Sequence, residues 1–305
     1  MRKIEALLWA MVAGLPVAAR AQSFSLLHSF TGGTDDAFPG ADLAVKGEEI
    51  YGTTAGGNGT GTVYTYNLTT GQEAVFYNRG TNAADGSYPE GKLIYLPASG
   101  LLYGTTSSVG YCGGGSIFDV DPATGAASGV HYFYNRAGST DVVAPEAGVV
   151  AIGNQLYGTT DGGGAHCTIV SGGRGAVFRV NAGNNREQVA GFTGANGLYP
   201  RAGLINVSGV LYGTTAEGGG ANTNCGGFGC GTVSSFSTST HAIAVLHAIS
   251  GNSDDGSSPT AGVVSIKGVL YGTTYAGGDV TCAPPAVVRC MNWCRGLPRQ
   301  VSYQA

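Results

Sequence analysis

Tyr-Gly-Thr-Thr recurs five times in the chain, beginning at Tyr51, Tyr103, Tyr157, Tyr212 and Tyr271, each time after Ile or Leu. The tyrosines are 52, 54, 55 and 59 residues apart. Self-similarity at a near-constant period means one supersecondary unit written repeatedly, which cannot bury its apolar faces alone and must stack on its neighbours. This constrains the fold more than any single residue does.

The units share an internal plan. Each opens with a turn and a proline (Pro39, Pro89, Pro145, Pro200, Pro259). Four residues on, Leu43, Leu93, Val149, Leu204 or Val263 begins a first strand, a. A short turn such as Ile152-Gly153-Asn154 leads to strand b, which carries Tyr-Gly-Thr-Thr. A glycine-rich loop of variable length follows, and strand c starts after a glycine, as in Thr62-Val63-Tyr64, Ser116-Ile117-Phe118, Ala176-Val177-Phe178 and Thr232-Val233-Ser234. A turn such as Ala123-Thr124-Gly125 then leads to strand d. Four short strands joined by hairpin-length turns form an antiparallel meander.

A four-stranded unit with a period near 54 fits the blade of a β-propeller. The expected fold is therefore all-β, a propeller-like array of about five four-stranded blades with the last incomplete; a β-solenoid is the alternative. The composition agrees. Of 305 residues, 54 are glycine and only 11% are charged, which suits many short strands with tight turns. Residues 24–30 resemble a strand d with no a, b or c before it, so the reading has the chain start supply the outer strand of the last blade. In a meander the b-to-c loops and d-to-a turns leave the same edge of each sheet, and they should gather on one face.

Residues 1–21 read as a signal peptide, with a basic start at Arg2-Lys3, an apolar run from Ala6 to Val17 and the small-x-small pattern Ala19-Arg20-Ala21. The apolar run is short for a bilayer span, so no membrane span is expected after cleavage. The repeat domain covers residues 22–288. Residues 289–305 lose the period and change composition, and read as a non-repeat tail of a frameshifted or truncated end. The formal net charge is −4, and no basic patch invites nucleic acid.

No catalytic constellation, metal motif or cofactor motif emerges. The glycine triplets lack the Lys-Ser/Thr of a phosphate loop, and the five histidines have no zinc spacing. Carboxylates recur at the d-to-a turn (Asp35, Asp36, Asp85, Asp141, Asp254, Asp255, with Asn196 in the fourth unit). They suit a cation ring, but turn formation explains them more simply. In a secreted chain the seven cysteines are read first as disulfides. Cys225 and Cys230 flank a flexible loop and form one candidate pair, and Cys282 and Cys290 hold the matching loop of the fifth unit. Cys112 and Cys167 fall in the same loop of adjacent units and could bridge blades, leaving Cys294 over.

With these features in hand, the chain resembles the choice-of-anchor tandem repeat GloVer-containing proteins. The likeness rests on the repeated Leu-Tyr-Gly-Thr-Thr, the Gly-Gly after it and the Gly-Thr-Val-Phe-like start of strand c, over about residues 24–288. It implies a bacterial protein that is secreted, periplasmic or on the cell surface, and it supplies no catalytic residues. The leading functional reading is a non-catalytic binding module for an unknown extracellular ligand, a glycan or an envelope protein. The alternatives are an extracytoplasmic propeller hydrolase or lyase, and a purely structural surface repeat.

Overall fold

The computed structural model describes residues 25–35, 37–56, 60–78, 86–108, 113–134, 142–163, 174–181, 186–252, 255–277 and 301–304. Unit 1 comprises β1 (Ala37–Pro39), β2 (Ala44–Lys46), β3 (Glu49–Gly56), β4 (Thr62–Asn67) and β5 (Glu73–Asn78). Unit 2 comprises β6 (Ile94–Leu96), β7 (Leu101–Thr106), β8 (Gly113–Val120) and β9 (Ala127–Tyr134). In unit 3, β10 (Val142–Val143) precedes β11 (Val150–Ile152), β12 (Gln155–Thr160), β13 (Gly162–Gly163), β14 (Ala176–Asn181) and β15 (Arg186–Gly191). Unit 4 holds β16 (Ile205–Val207), β17 (Val210–Thr215), β18 (Thr232–Ser237) and β19 (Ile243–Ala248), and unit 5 holds β20 (Val264–Ile266), β21 (Val269–Gly272) and β22 (Val301–Gln304).

Units 1 to 4 each form an antiparallel sheet in the order a-b-c-d, and unit 5 a sheet of three strands. The inner strands β2, β6, β11 and β16 neighbour one another in succession, so the sheets radiate from a common axis as propeller blades. Packing between sheets dictates the motif. Successive side chains of a strand point to opposite faces, so the motif tyrosine faces the next unit while the Leu before it faces the previous one. Tyr51 shares a core with Leu102, Tyr103 with Leu156, Tyr157 with Leu211 and Tyr212 with Leu270. Those four leucines are at most 1% exposed. Each contributes about 1.5–3 kcal/mol by leaving water.

The rest of the motif serves the same junction. Thr53, Thr105, Thr159 and Thr214 donate their hydroxyls to backbone carbonyls of the next unit, at Pro89, Ala147, Ala202 and Ala261, over 2.9–3.1 Å. The second threonine stays within its blade, as in Thr54 with Thr62 and Thr215 with Thr232. The glycine leaves room for an aromatic ring from strand c: a Cβ on Gly104 would lie 2.5 Å from Phe118 Cζ and 2.7 Å from Leu93 Cδ2.

The unit-opening proline also belongs to the junction. The residue before it, Phe38, Tyr88, Ala144, Tyr199 or Ser258, is left-handed with φ between 53 and 61°. Such a conformation costs about 1–2 kcal/mol for a non-glycine residue. Two hydrogen bonds hold it from unit 2 onward. In unit 3, Ala144 N–H donates to Gly114 O of unit 2, and Asp161 N–H of the same unit donates to Ala144 O. The proline ring lies against the glycine that precedes strand c of the previous unit, where Gly231 meets Pro259 Cδ.

Two expectations change. Residues 25–30 form no strand in the fifth sheet; Phe30 instead packs edge-on against Tyr64 of unit 1, ring centroids 4.9 Å apart. Within the tail, Val301–Gln304 pairs with β21, Tyr271 opposite Ser302, in the place strand c takes elsewhere. Backbone pairing there needs no Gly-Thr-Val-Phe sequence, only an extended segment within reach. The fifth blade has three strands among the described residues.

Two substitutions test this account by thermal or denaturant unfolding. Gly104→Ala should destabilise by about 1–3 kcal/mol through overpacking, although alanine is otherwise the milder residue in a strand. Among the described residues Thr160 Oγ1 is buried without a hydrogen-bond partner, because Ala176 stands where other units place Thr62, Ser116 or Thr232. Ala176→Ser should therefore stabilise by about 1 kcal/mol.

Candidate binding face

Among the described residues, unit 4 brings its b-to-c loop and d-to-a turn together on one face. Asn222 caps the short 3-10 turn Thr223–Cys225, its side chain accepting from Asn224 N–H. The amides of Asn222 and Asn224 both donate to Ser250 O in the d-to-a turn, over 2.7 and 3.1 Å. Cys225 and Cys230 form a disulfide, with Cα atoms 5.3 Å apart, and its sulfurs pack over Gly251 of the same turn. Cys282, Cys290, Cys112, Cys167 and Cys294 lie outside the described residues.

The described members of the turn set, Asp35, Asn196 and Asp255, are hydrogen-bond acceptors. Asp35 takes the N–H and hydroxyl of Thr31 at 2.9 and 2.6 Å, Asn196 the N–H of Thr193 at 2.7 Å, and Asp255 the N–H of Ser250 at 2.7 Å. A histidine joins two of these hubs, His28 at 3.3 Å from Asp35 and His247 at 2.8 Å from Asp255. The Thr31 hydroxyl and N–H hold the Asp35 carboxyl down at about 2. Burial opposes ionisation of Asp255, but the Ser250 N–H and His247 outweigh it and lower its pKa too. Asp36, Asp85, Asp141 and Asp254 lie outside the described residues. Among the described residues no group of three His, Cys, Asp or Glu side chains is placed to hold a metal ion.

A charged cluster that motif reading overlooked lies on this face. Arg201, just after Pro200, reaches Asp161 at 3.3 Å and Glu146 at 3.7 Å. Burial raises the Glu146 pKa, aided by Asp161 and Glu90 and opposed by Arg201. Desolvation acts against the Arg201 charge, but Asp161 and Glu146 prevail and raise its pKa. The signal was positional: Glu146 and Arg201 follow the unit-opening proline, and Asp161 follows Tyr-Gly-Thr-Thr.

The same face exposes aromatic rings. Phe38 (73%), Tyr88 (45%), Phe228 (69%) and Tyr275 (53%) are the large aromatic side chains most open to solvent among the described residues. Phe38 and Tyr88 precede unit-opening prolines, Phe228 tips the disulfide loop, and Tyr275 follows the last motif. Burying a pocket ligand is a different matter. The cavity between units 3 and 4, where Ser234 replaces the ring of Phe118 or Phe178, measures about 20 Å³ and suits a single water rather than a ligand.

Fold and face together define a tandem-repeat β-propeller that presents one loop-built surface. The chain belongs to the Gloeobacter/Verrucomicrobia repeat family, whose sequence pattern matches residues 16–226 and 138–282. No curated protein matches it. Among solved structures it is similar to a chain of the nidogen/laminin complex, at 17% identity and TM-score 0.51, covering 78% of this chain and 72% of that one. It is also similar to the extracellular domain of the putative hybrid two component system BT4673 from B. thetaiotaomicron, at 11% identity and TM-score 0.53, covering 80% of this chain but 27% of that one. At such identities the likeness is one of fold.

Two measurements check the face. Reducing the disulfide, or Cys225→Ser with Cys230→Ser, should lower stability by less than the ~3 kcal/mol of a fifteen-residue loop and loosen the loop against Ser250. Asp35 and Asp255 have lowered folded-state pKa values, so each adds stability above the ordinary carboxylate pKa that is lost as pH falls. For Asp35 the loss should fall between about pH 4 and about pH 2, and Asp35→Asn should flatten the thermal midpoint across that window.

Proposed function

We propose that this chain is a non-catalytic binding module acting outside the cytoplasm, and that its loop face meets an extracellular glycan or envelope protein. The observation that carries this reading is the gathering of Phe38, Tyr88, Phe228 and Tyr275 as exposed rings on the face that also holds Arg201, Glu146 and Asp161. Aromatic and arginine side chains dominate binding energies at recognition surfaces, and loops positioned by a rigid scaffold are where binding residues concentrate. The tie between the Cys225–Cys230 loop and the Ser250 turn supports a preorganised surface, and a disulfide suits an oxidising compartment. The inner strands bring apolar side chains such as Leu96 and Ile152 to the blade junctions, which favours recognition over chemistry in the channel.

A glycan array and a pull-down from envelope extract, both with the purified chain, test this. A bound glycan or envelope protein should lose affinity on the order of tenfold with Phe228→Ala, and should respond to Arg201→Ala, while Leu68→Ala on an exposed turn changes nothing. Binding indifferent to both face substitutions, or turnover of a bound glycan, would remove the reading.

A further inference from the structure

The residue before the unit-opening proline and the residue after the motif form one repeated pair. In units 2 to 5 the second donates its N–H to the carbonyl of the first: Ser107 to Tyr88, Asp161 to Ala144, Ala216 to Tyr199 and Tyr275 to Ser258, over 2.9–3.2 Å. In unit 1 the register of Ala37 with Gly56 and Pro39 with Thr54 sets Phe38 opposite Ala55. In units 2 to 5 the pre-proline N–H is bonded to the unit before, at the carbonyls of Thr60, Gly114, Arg174 and Cys230. The pair therefore stands at the same edge of every sheet. The rotation that relates successive blades sets the five pairs on an arc around the common axis. Each pair joins a bulky side chain to a small one. Units 1, 2 and 4 offer Phe38, Tyr88 and Tyr199 from the pre-proline position, and unit 5 offers Tyr275 from the other. What recurs is one ring per blade rather than one position in the sequence. Unit 3 differs: it offers Asp161, which Arg201 reaches at 3.3 Å. Phe38, Tyr88 and Tyr275 are exposed and Tyr199 is half-buried.

We propose that this arc is a track for a linear, neutral polysaccharide, with sugar rings stacked on Phe38, Tyr88, Tyr199 and Tyr275 and hydroxyls bonded at Asp161 and Arg201. The proposal rests on the binding-module reading and narrows its ligand to a glycan. A pyranose has an apolar C–H face, which suits the face of an aromatic ring. Its rim of hydroxyls both donates and accepts, which suits a carboxylate beside a guanidinium. A polymer repeats that unit along its length, as the blades repeat the ring. A protein partner is met instead by anchor residues clustered at the centre of one patch, whereas these rings stand one to a blade. Around unit 3 the carboxylates of Glu90, Glu146 and Asp161 outnumber the single Arg201. That surplus repels a polyanion and leaves a neutral chain favoured.

Affinity electrophoresis and titration calorimetry of the purified full chain test this, with soluble linear glucan, mannan, xylan and galactan and their oligosaccharides of graded length as probes. At least one series should bind, and affinity should rise as the oligosaccharide lengthens to span more blades. Tyr88→Ala and Tyr275→Ala should each weaken binding of the longest oligosaccharide on the order of tenfold. Tyr88→Phe should leave it unchanged, because stacking needs the ring and not the hydroxyl. Both side chains are exposed, and circular dichroism checks that the variants fold; Phe38→Ala replaces either one that does not. No binding in any of the four series, equal affinity for short and long oligosaccharides, or binding indifferent to the ring substitutions would each overturn the proposal. Capture of an envelope protein that depends on Phe228, which lies outside the arc, and not on Tyr88 or Tyr275 would overturn it as well, while leaving the binding-module reading in place.

Discussion

The hydroxyl of the first motif threonine, donated across a blade boundary to a backbone carbonyl, recurs at four successive junctions and sets the spacing of the whole array. Around it, tyrosine from one unit and leucine from the next close an apolar core. A single sheet with both faces apolar is not stable by itself, so stability lies in these junctions more than in the blades. Arrays of this kind approximate a sum of unit and nearest-neighbour terms. A defect inside one blade, such as the Thr160 hydroxyl that has no partner among the described residues, then stays local to that blade.

The same reasoning explains a backbone cost that every unit carries. A left-handed residue stands before each proline, in a conformation that glycine would adopt more easily. Its N–H and C=O tie the previous unit to its own, as at Ala144, and the proline ring seals the contact. The strain is local, while the hydrogen bonds and the ring contact it permits join two units. That balance leaves the side chain at this position free to vary, and Phe38, Tyr88, Ala144, Tyr199 and Ser258 share only their backbone. Variation on a fixed backbone is what a recognition surface requires.

The surface features follow the same division. The loops after strand b differ in length and sequence. The turn acceptors Asp35, Asn196 and Asp255 are chemically similar because each must take the N–H of a residue three to five positions before it. Asp35, Asn196 and Asp255, candidate cation-ring positions in the sequence, thus serve in the structure as hydrogen-bond acceptors of their turns. A charged cluster forms instead among neighbours of the repeated positions, Arg201 and Glu146 after prolines and Asp161 after the motif.

The repeat, the four-strand plan, the propeller architecture and the family were legible in the sequence, because one short motif meets the same packing demand in every unit and period survives where individual residues vary. The Cys225–Cys230 pair was legible too, because a six-residue span with three glycines brings two cysteines together whatever lies around it. The role of Tyr-Gly-Thr-Thr was not: which unit each side chain faces depends on how sheets stack, and a strand has two equivalent faces until a neighbour arrives. Nor was the charged cluster, since Glu146, Asp161 and Arg201 are up to 55 residues apart and meet only when two blades bring their turns side by side. The place of the chain's ends was also left to tertiary structure. Residues 25–30 carry a strand-d pattern, yet docking Phe30 on Tyr64 decides their position. Val301–Gln304 carries no repeat pattern, yet an open strand edge on β21 is enough to recruit it, because backbone hydrogen bonds are blind to side chains.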